Sequence, residues 1–149
     1  MAATTFILTK IANEAVTNSA TLQNDDDFLF RVSADENWQI MLTLLLLSGF
    51  SATPDLQFAF TVPAGGAIEG DHWAMDAAAI TSITDMTAAF TIQVTTTERV
   101  HHLIARYVGG SVPGVVQLQW AQAVAAGETT QVSRGSWLQA VRMDRTVTA

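Results

Sequence analysis

The chain has 149 residues, 49% of them hydrophobic and 14% charged, with no cysteine and a formal net charge of −7. One domain of this length buries roughly 68–70% of its unfolded surface without staples. The missing cysteines exclude disulfides and thiolate metal sites, and the acidic balance argues against a nucleic-acid partner, which needs a basic face opposite the phosphates.

Soluble domains average about 25% charged residues, so such sparse charge implies that other chains cover part of this surface. The charge is also uneven. Residues 1–98 hold the acids Glu14, Asp25, Asp26, Asp27, Asp35, Glu36, Asp55, Glu69, Asp71, Asp76, Asp85 and Glu98 against Lys10 and Arg31. Residues 99–149 hold Arg99, Arg106, Arg134, Arg142 and Arg145 against Glu128 and Asp144. That asymmetry suits pairing within the chain or between neighbours in a ring.

The opening MAATTFILTK lacks a basic region ahead of a long apolar core, so it does not read as a secretory signal. Residues 1–18 are expected to be an N-terminal arm or first strand, and residues 19–149 the domain proper. TTFIL suits an arm that adds a strand to a neighbour. Next comes Asn24-Asp25-Asp26-Asp27, running into Phe28-Leu29-Phe30. Adjacent acids on an extended chain point to opposite faces, and the alternating acids and glycine of a calcium loop are absent. Asn and Asp suit a tight turn that guards the following strand from edge pairing.

From there the pattern alternates with period two. Phe28, Phe30 and Val32 share one face; Trp38, Ile40, Leu42, Leu44 and Leu46 share the next. In residues 40–47 the opposite face is apolar too, save Thr43. Either a loop or arm of the same chain covers that second face, or a neighbouring subunit does; the sparse surface charge favours the subunit. The run is far short of the ~20 residues of a membrane helix. Leu56, Phe58, Phe60 and Val62 alternate up to the break at Pro63–Gly66. The EGDHW stretch (69–73) reads as a loop, and Asp76–Thr84 as a helical turn. Met86, Ala88, Phe90, Ile92 and Val94 alternate, as do Val116, Leu118 and Trp120. Val100, Ile104 and Val108 belong to a strand ending at Gly109-Gly110, and Trp137, Val141 and Met143 to the last strand. Short strands at this spacing predict an all-β, antiparallel β-sandwich, jelly-roll-like and of one domain.

Little points to chemistry. His101 and His102 are adjacent, so on a strand they face opposite ways and cannot share an ion. His102, with Val100 and Ile104, is expected at a core or interface. His72 lies among acids in what reads as a solvated loop. The GGSVPG stretch (109–114) is too short for a phosphate cradle and leads into no helix. No G-x-S-x-G elbow is present. Trp38, Trp120 and Trp137 fall in apolar register and are expected in the core, leaving Trp73 as a possible sugar platform.

Three stretches, TLQNDDDFLFRVSADENWQI, DLQFAFTVPAGG and VQLQWAQAVAAGETTQVSRGSWLQAVRM, resemble β-sandwich modules of tailed-bacteriophage virion proteins: capsid decoration (cement) proteins and tail or collar fibres. The resemblance spans residues 20–143, and its most specific part is the closing LQWAQ…GS-L…R hairpin. It implies a structural protein without catalytic motif, cofactor or metal. The chain would act as a homotrimer seated on the phage head, made in the host cytoplasm, with the major capsid protein as partner. The absence of a coiled-coil shaft favours cement over fibre; a receptor- or glycan-binding head module is the alternative. Met41, Leu45, Leu47, Phe6, Ile7 and Leu8 are the candidate interface residues.

Overall fold

The computed structural model describes residues 4–49, 54–74 and 79–143. These form twelve strands: β1 (Thr5–Thr9), β2 (Glu14–Thr17), β3 (Gln23–Val32), β4 (Asn37–Ser48), β5 (Leu56–Thr61), β6 (Ala67–Ala74), β7 (Thr81–Ile83), β8 (Phe90–Ile92), β9 (Arg99–Val108), β10 (Gly114–Gln122), β11 (Thr129–Val132) and β12 (Trp137–Met143). No described residue is helical. Two antiparallel sheets result. The larger runs β1-β12-β4-β9-β6-β7, with β11 on β4 and β2 on β11; the smaller runs β3-β10-β5-β8. Strands β3 to β6 alternate between the sheets, so the chain is an antiparallel, jelly-roll-like β-sandwich of one domain.

The period-two patterns place the core where alternation requires. Phe28, Phe30, Trp38, Ile40, Leu42, Leu44, Leu46, Phe58, Leu118 and Trp120 meet between the sheets, all nearly inaccessible. Met86 and Val94 are buried as their pattern demands, but only Phe90–Ile92 of that segment pairs as a strand. At the β1 edge the core is closed by Phe6, whose ring lies 5.4 Å from Trp38 and 5.9 Å from Phe30.

Four local readings change. The acids at 25–27 are not a free turn; they belong to β3, whose register against β10 jumps from Leu29↔Gln117 to Asn24↔Gln119. Regular pairing would put residue 27 opposite Gln119, so β3 carries a bulge there. Residues 69–73 are strand, not loop, because Glu69, Asp71 and Trp73 alternate outward while Ile68 and Ala74 turn in. Trp137 lies on the outer side of the large sheet, in register with Thr43 of β4. Of the expected helical turn at 76–84, residues 76–78 lie outside the described residues and Thr81–Ile83 is strand β7.

The N-terminal segment is built into its own chain. β1 pairs β12 from Thr5↔Val141 to Thr9↔Trp137, and β2 pairs β11.

Candidate contact face

The outer side of the large sheet is assembled by register. Ile7, Gln139, Met41, Ile104 and Asp71 form one row across β1, β12, β4, β9 and β6. The next row runs Thr9, Trp137, Thr43, His102, Trp73. Side chains opposite one another on neighbouring strands share a face and touch. Ile7, Met41 and Ile104 are 68%, 41% and 38% exposed. Between the rows lies a shallow, mainly apolar groove of about 240 Å³, lined by Met41, Thr43, Trp73, His102, Ile104 and Trp137. Its polar groups are held internally: His102 Nδ1 is 3.1 Å from Thr43 Oγ1, and the Trp73 ring tilts against the His102 ring at 5.4 Å.

At the β6 side the face turns polar. Arg106 Nη2 donates to Glu69 Oε1 at 2.6 Å, and Ser82 Oγ to Asp71 Oδ1 at 2.6 Å. The Arg106–Glu69 pair is largely exposed, so it contributes little to stability. It does neutralise Glu69, leaving the Asp71 carboxylate, bonded to the Ser82 hydroxyl, as the negative charge at this end of the face.

The candidate interface residues divide. Met41, Ile7, Leu45 and Leu47 lie on this outer face, the two leucines half-buried. Leu45 is partly covered by the chain itself: the Ser133–Ser136 turn bonds to its backbone, with Ser133 N–H donating to its carbonyl and Ser136 Oγ accepting from its N–H. Phe6 and Leu8 turn the other way and pack on the core, so they are not free to meet a partner.

A second cluster was hidden in the sequence. Lys10, just after β1, is 1% exposed, and its Nζ lies 2.7 Å from Glu14 Oε2, 2.9 Å from Asp25 Oδ2 and 3.3 Å from Asp27 Oδ2. Asp25, fully buried, also accepts the Asp27 and Phe28 N–H groups at 3.0 Å each. Burial alone would depress the Lys10 pKa, but the hydrogen bonds to Glu14 and Asp25 outweigh it and hold the ammonium above the ordinary value. The acidic bulge is therefore an internal anchor that ties the large sheet to β3 of the small one. The legible signal was complementarity, since Lys10 is the sole lysine of the chain.

The histidines split as adjacent strand residues must. His102 faces out, while His101 faces the interior and stacks on His72, with His72 Nε2 3.1 Å from His101 Nδ1 and the rings 12° from parallel. Burial lowers the pKa of His72.

Neither a family model nor a curated protein matches the chain. Among solved structures it is similar to the infectious bursal disease virus VP2 subviral particle, at 11% identity and TM-score 0.23, over 94% of this chain and 40% of that one. It is also similar to infectious bursal disease virus of the Gt strain, at 10% identity and TM-score 0.21, again over 94% and 40%. The chain thus spans well under half the length of these proteins, and similarity of that extent carries no inference about function.

Proposed function

We propose that this chain is a virion structural protein of the capsid decoration kind, which binds the assembled phage head as a homotrimer and stabilises it. The observation that carries this reading is the outer face of the large sheet. Ile7, Met41 and Ile104 stand open in one row beside the groove, on a chain with few charges to keep such a surface wet. A protein that binds only the assembled lattice stabilises it by its binding free energy, and a trimer multiplies weak contacts through avidity. The resemblance of residues 20–143 to phage virion modules supplies the lattice; major capsid protein is the partner. The test is the melting temperature of expanded empty heads with and without saturating protein. A rise that Met41→Asp abolishes supports the reading, and no rise refutes it.

The groove favours one second reading. Trp73 and Trp137 bracket Thr43 and His102, and two flat rings lining one groove suit stacking on the apolar face of a sugar, as in a fibre or receptor-binding head. Glycan-array binding lost in Trp73→Ala would move the assignment to that class.

A further inference from the structure

The register of β1 determines which of its backbone groups are used. Arg142 N–H donates to the Thr4 carbonyl, and Lys10 N–H to the Ser136 carbonyl. With Thr5↔Val141 and Thr9↔Trp137 in register, the even-numbered residues from Thr4 to Lys10 bond β12. The N–H and C=O groups of Thr5, Ile7 and Thr9 therefore point away from the sheet, because antiparallel pairing alternates along a strand. Among the described residues none takes them up. The side chains of Thr5, Ile7 and Thr9 are also exposed.

This edge differs from the others. β3 is interrupted by its bulge, β2 is four residues long, and β7 and β8 are three. Those are the devices that blunt sheet edges. β1, TFILT, has no charge, proline or bulge, and its residues favour extended structure.

We propose that the free edge of β1 pairs antiparallel with the same edge of a second copy, about a twofold axis at Ile7. The register closes on itself. Thr5 meets Thr9 of the second copy, Ile7 meets Ile7, and Thr9 meets Thr5, and these are the residues whose backbone groups face outward. Each pair exchanges both N–H···O bonds. No like charges meet, since Lys10 is buried on its carboxylates. The row Ile7, Gln139, Met41, Ile104 continues into its symmetry mate, joining two contact faces into one sheet. A contact of this kind is isologous and closed. It goes beyond head binding and stands without it: the face could fail to bind a lattice while the edge still pairs. It joins two copies, or two trimers, so the assembly holds an even number of chains where a trimer alone holds three.

Sedimentation of the full chain over a range of concentrations tests this. Ile7→Pro deletes an N–H that β12 does not use, and Ile7→Lys places a charge on the axis while leaving the backbone intact. Both are expected to remain folded by circular dichroism and to halve the mass of the wild-type assembly. In this cysteine-free chain, Ile7→Cys is expected to cross-link on oxidation, since paired Cα atoms about 5.5 Å apart lie within disulfide reach. Ile11→Cys, exposed but off the axis, is expected to give no cross-link. A monomeric wild type overturns the proposal. So does a mass that Ile7→Lys leaves unchanged, as would be seen if another strand occupied the edge or a trimer alone formed.

Discussion

Lys10 Nζ sits 2.9 Å from Asp25 Oδ2 with 1% and 0% of the two side chains exposed, one residue anchored in the large sheet and the other in the small. Deleting one partner of a buried pair leaves an uncompensated charge and costs about 3–5 kcal/mol. Lys10→Met, which leaves Asp25, Glu14 and Asp27 together without a cation, is expected to lose that much in urea unfolding. The double variant Lys10→Met/Asp25→Asn should recover part of the loss, because it removes the buried charge as well. A loss below about 1 kcal/mol in the single variant would show that water or relaxation solvates the cluster.

The same pair sets an alkaline limit. The folded-state pKa of Lys10 is raised above its ordinary value of 10.5, burial opposing and the bonds to Glu14 and Asp25 prevailing. A raised lysine contributes stability in full below the unfolded value and loses it as pH rises through the folded one. Tyr107 acts in the same direction: burial, with a smaller contribution from Glu36, raises its pKa above the ordinary 10.0. Wild-type stability is therefore expected to fall above about pH 10. Tyr107→Phe and Lys10→Met are each expected to remove part of that decline. A stability profile flat to pH 12 in the wild type contradicts both.

At the other end of the scale, burial holds the His72 pKa below its ordinary 6.5. A group with a depressed folded pKa stabilises the fold above its unfolded value and stops doing so as pH falls through the folded one. Stability should decline from about pH 6.5 downward, as the His72–His101 stack is forced to accept a charge. His72→Gln, which hydrogen-bonds without titrating, is expected to flatten this limb. Glu36 acts lower down. Desolvation opposes ionisation there, but the Ser33 N–H and Arg142 prevail and depress the carboxyl below 4.5. Its contribution is lost only below that pH, so the two windows separate in a titration followed by thermal melting.

The fold was legible because alternation is a local property: Phe28, Phe30, Trp38, Ile40 and Leu42 each announce a face without reference to any other strand. What was not legible depends on pairs distant in sequence. Asp25 reads as a turn residue until Lys10, fifteen positions earlier, is placed against it. Trp137 shares period-two spacing with Val141, and spacing alone does not say which face of a strand meets the core. Residues 40–47 read as apolar on both sides, and the structure divides the second side unequally. A turn of the same chain lies on Leu45, while Met41 remains open. Whether a partner covers Met41 is a property of two molecules, which a single sequence encodes only as a shortage of charge.

Met41 and Leu42, adjacent in β4, should therefore respond in opposite ways. Met41 is 41% exposed and Leu42 1%. Met41→Asp adds a charge to the middle of the outer row and removes little packing, so it is expected to change unfolding free energy by about 1 kcal/mol or less. Ile104→Asp, one strand over in the same row, should behave alike. Leu42→Ala empties a site in the core and should cost about 2–5 kcal/mol. If the outer face binds a lattice, both aspartate variants lose the rise in head melting temperature while keeping their own. Leu42→Ala keeps the rise wherever it remains folded. The reverse pattern, in which Met41→Asp unfolds the chain and leaves head binding intact in the residual folded fraction, would mean that the face is an internal support and that the contact surface lies elsewhere.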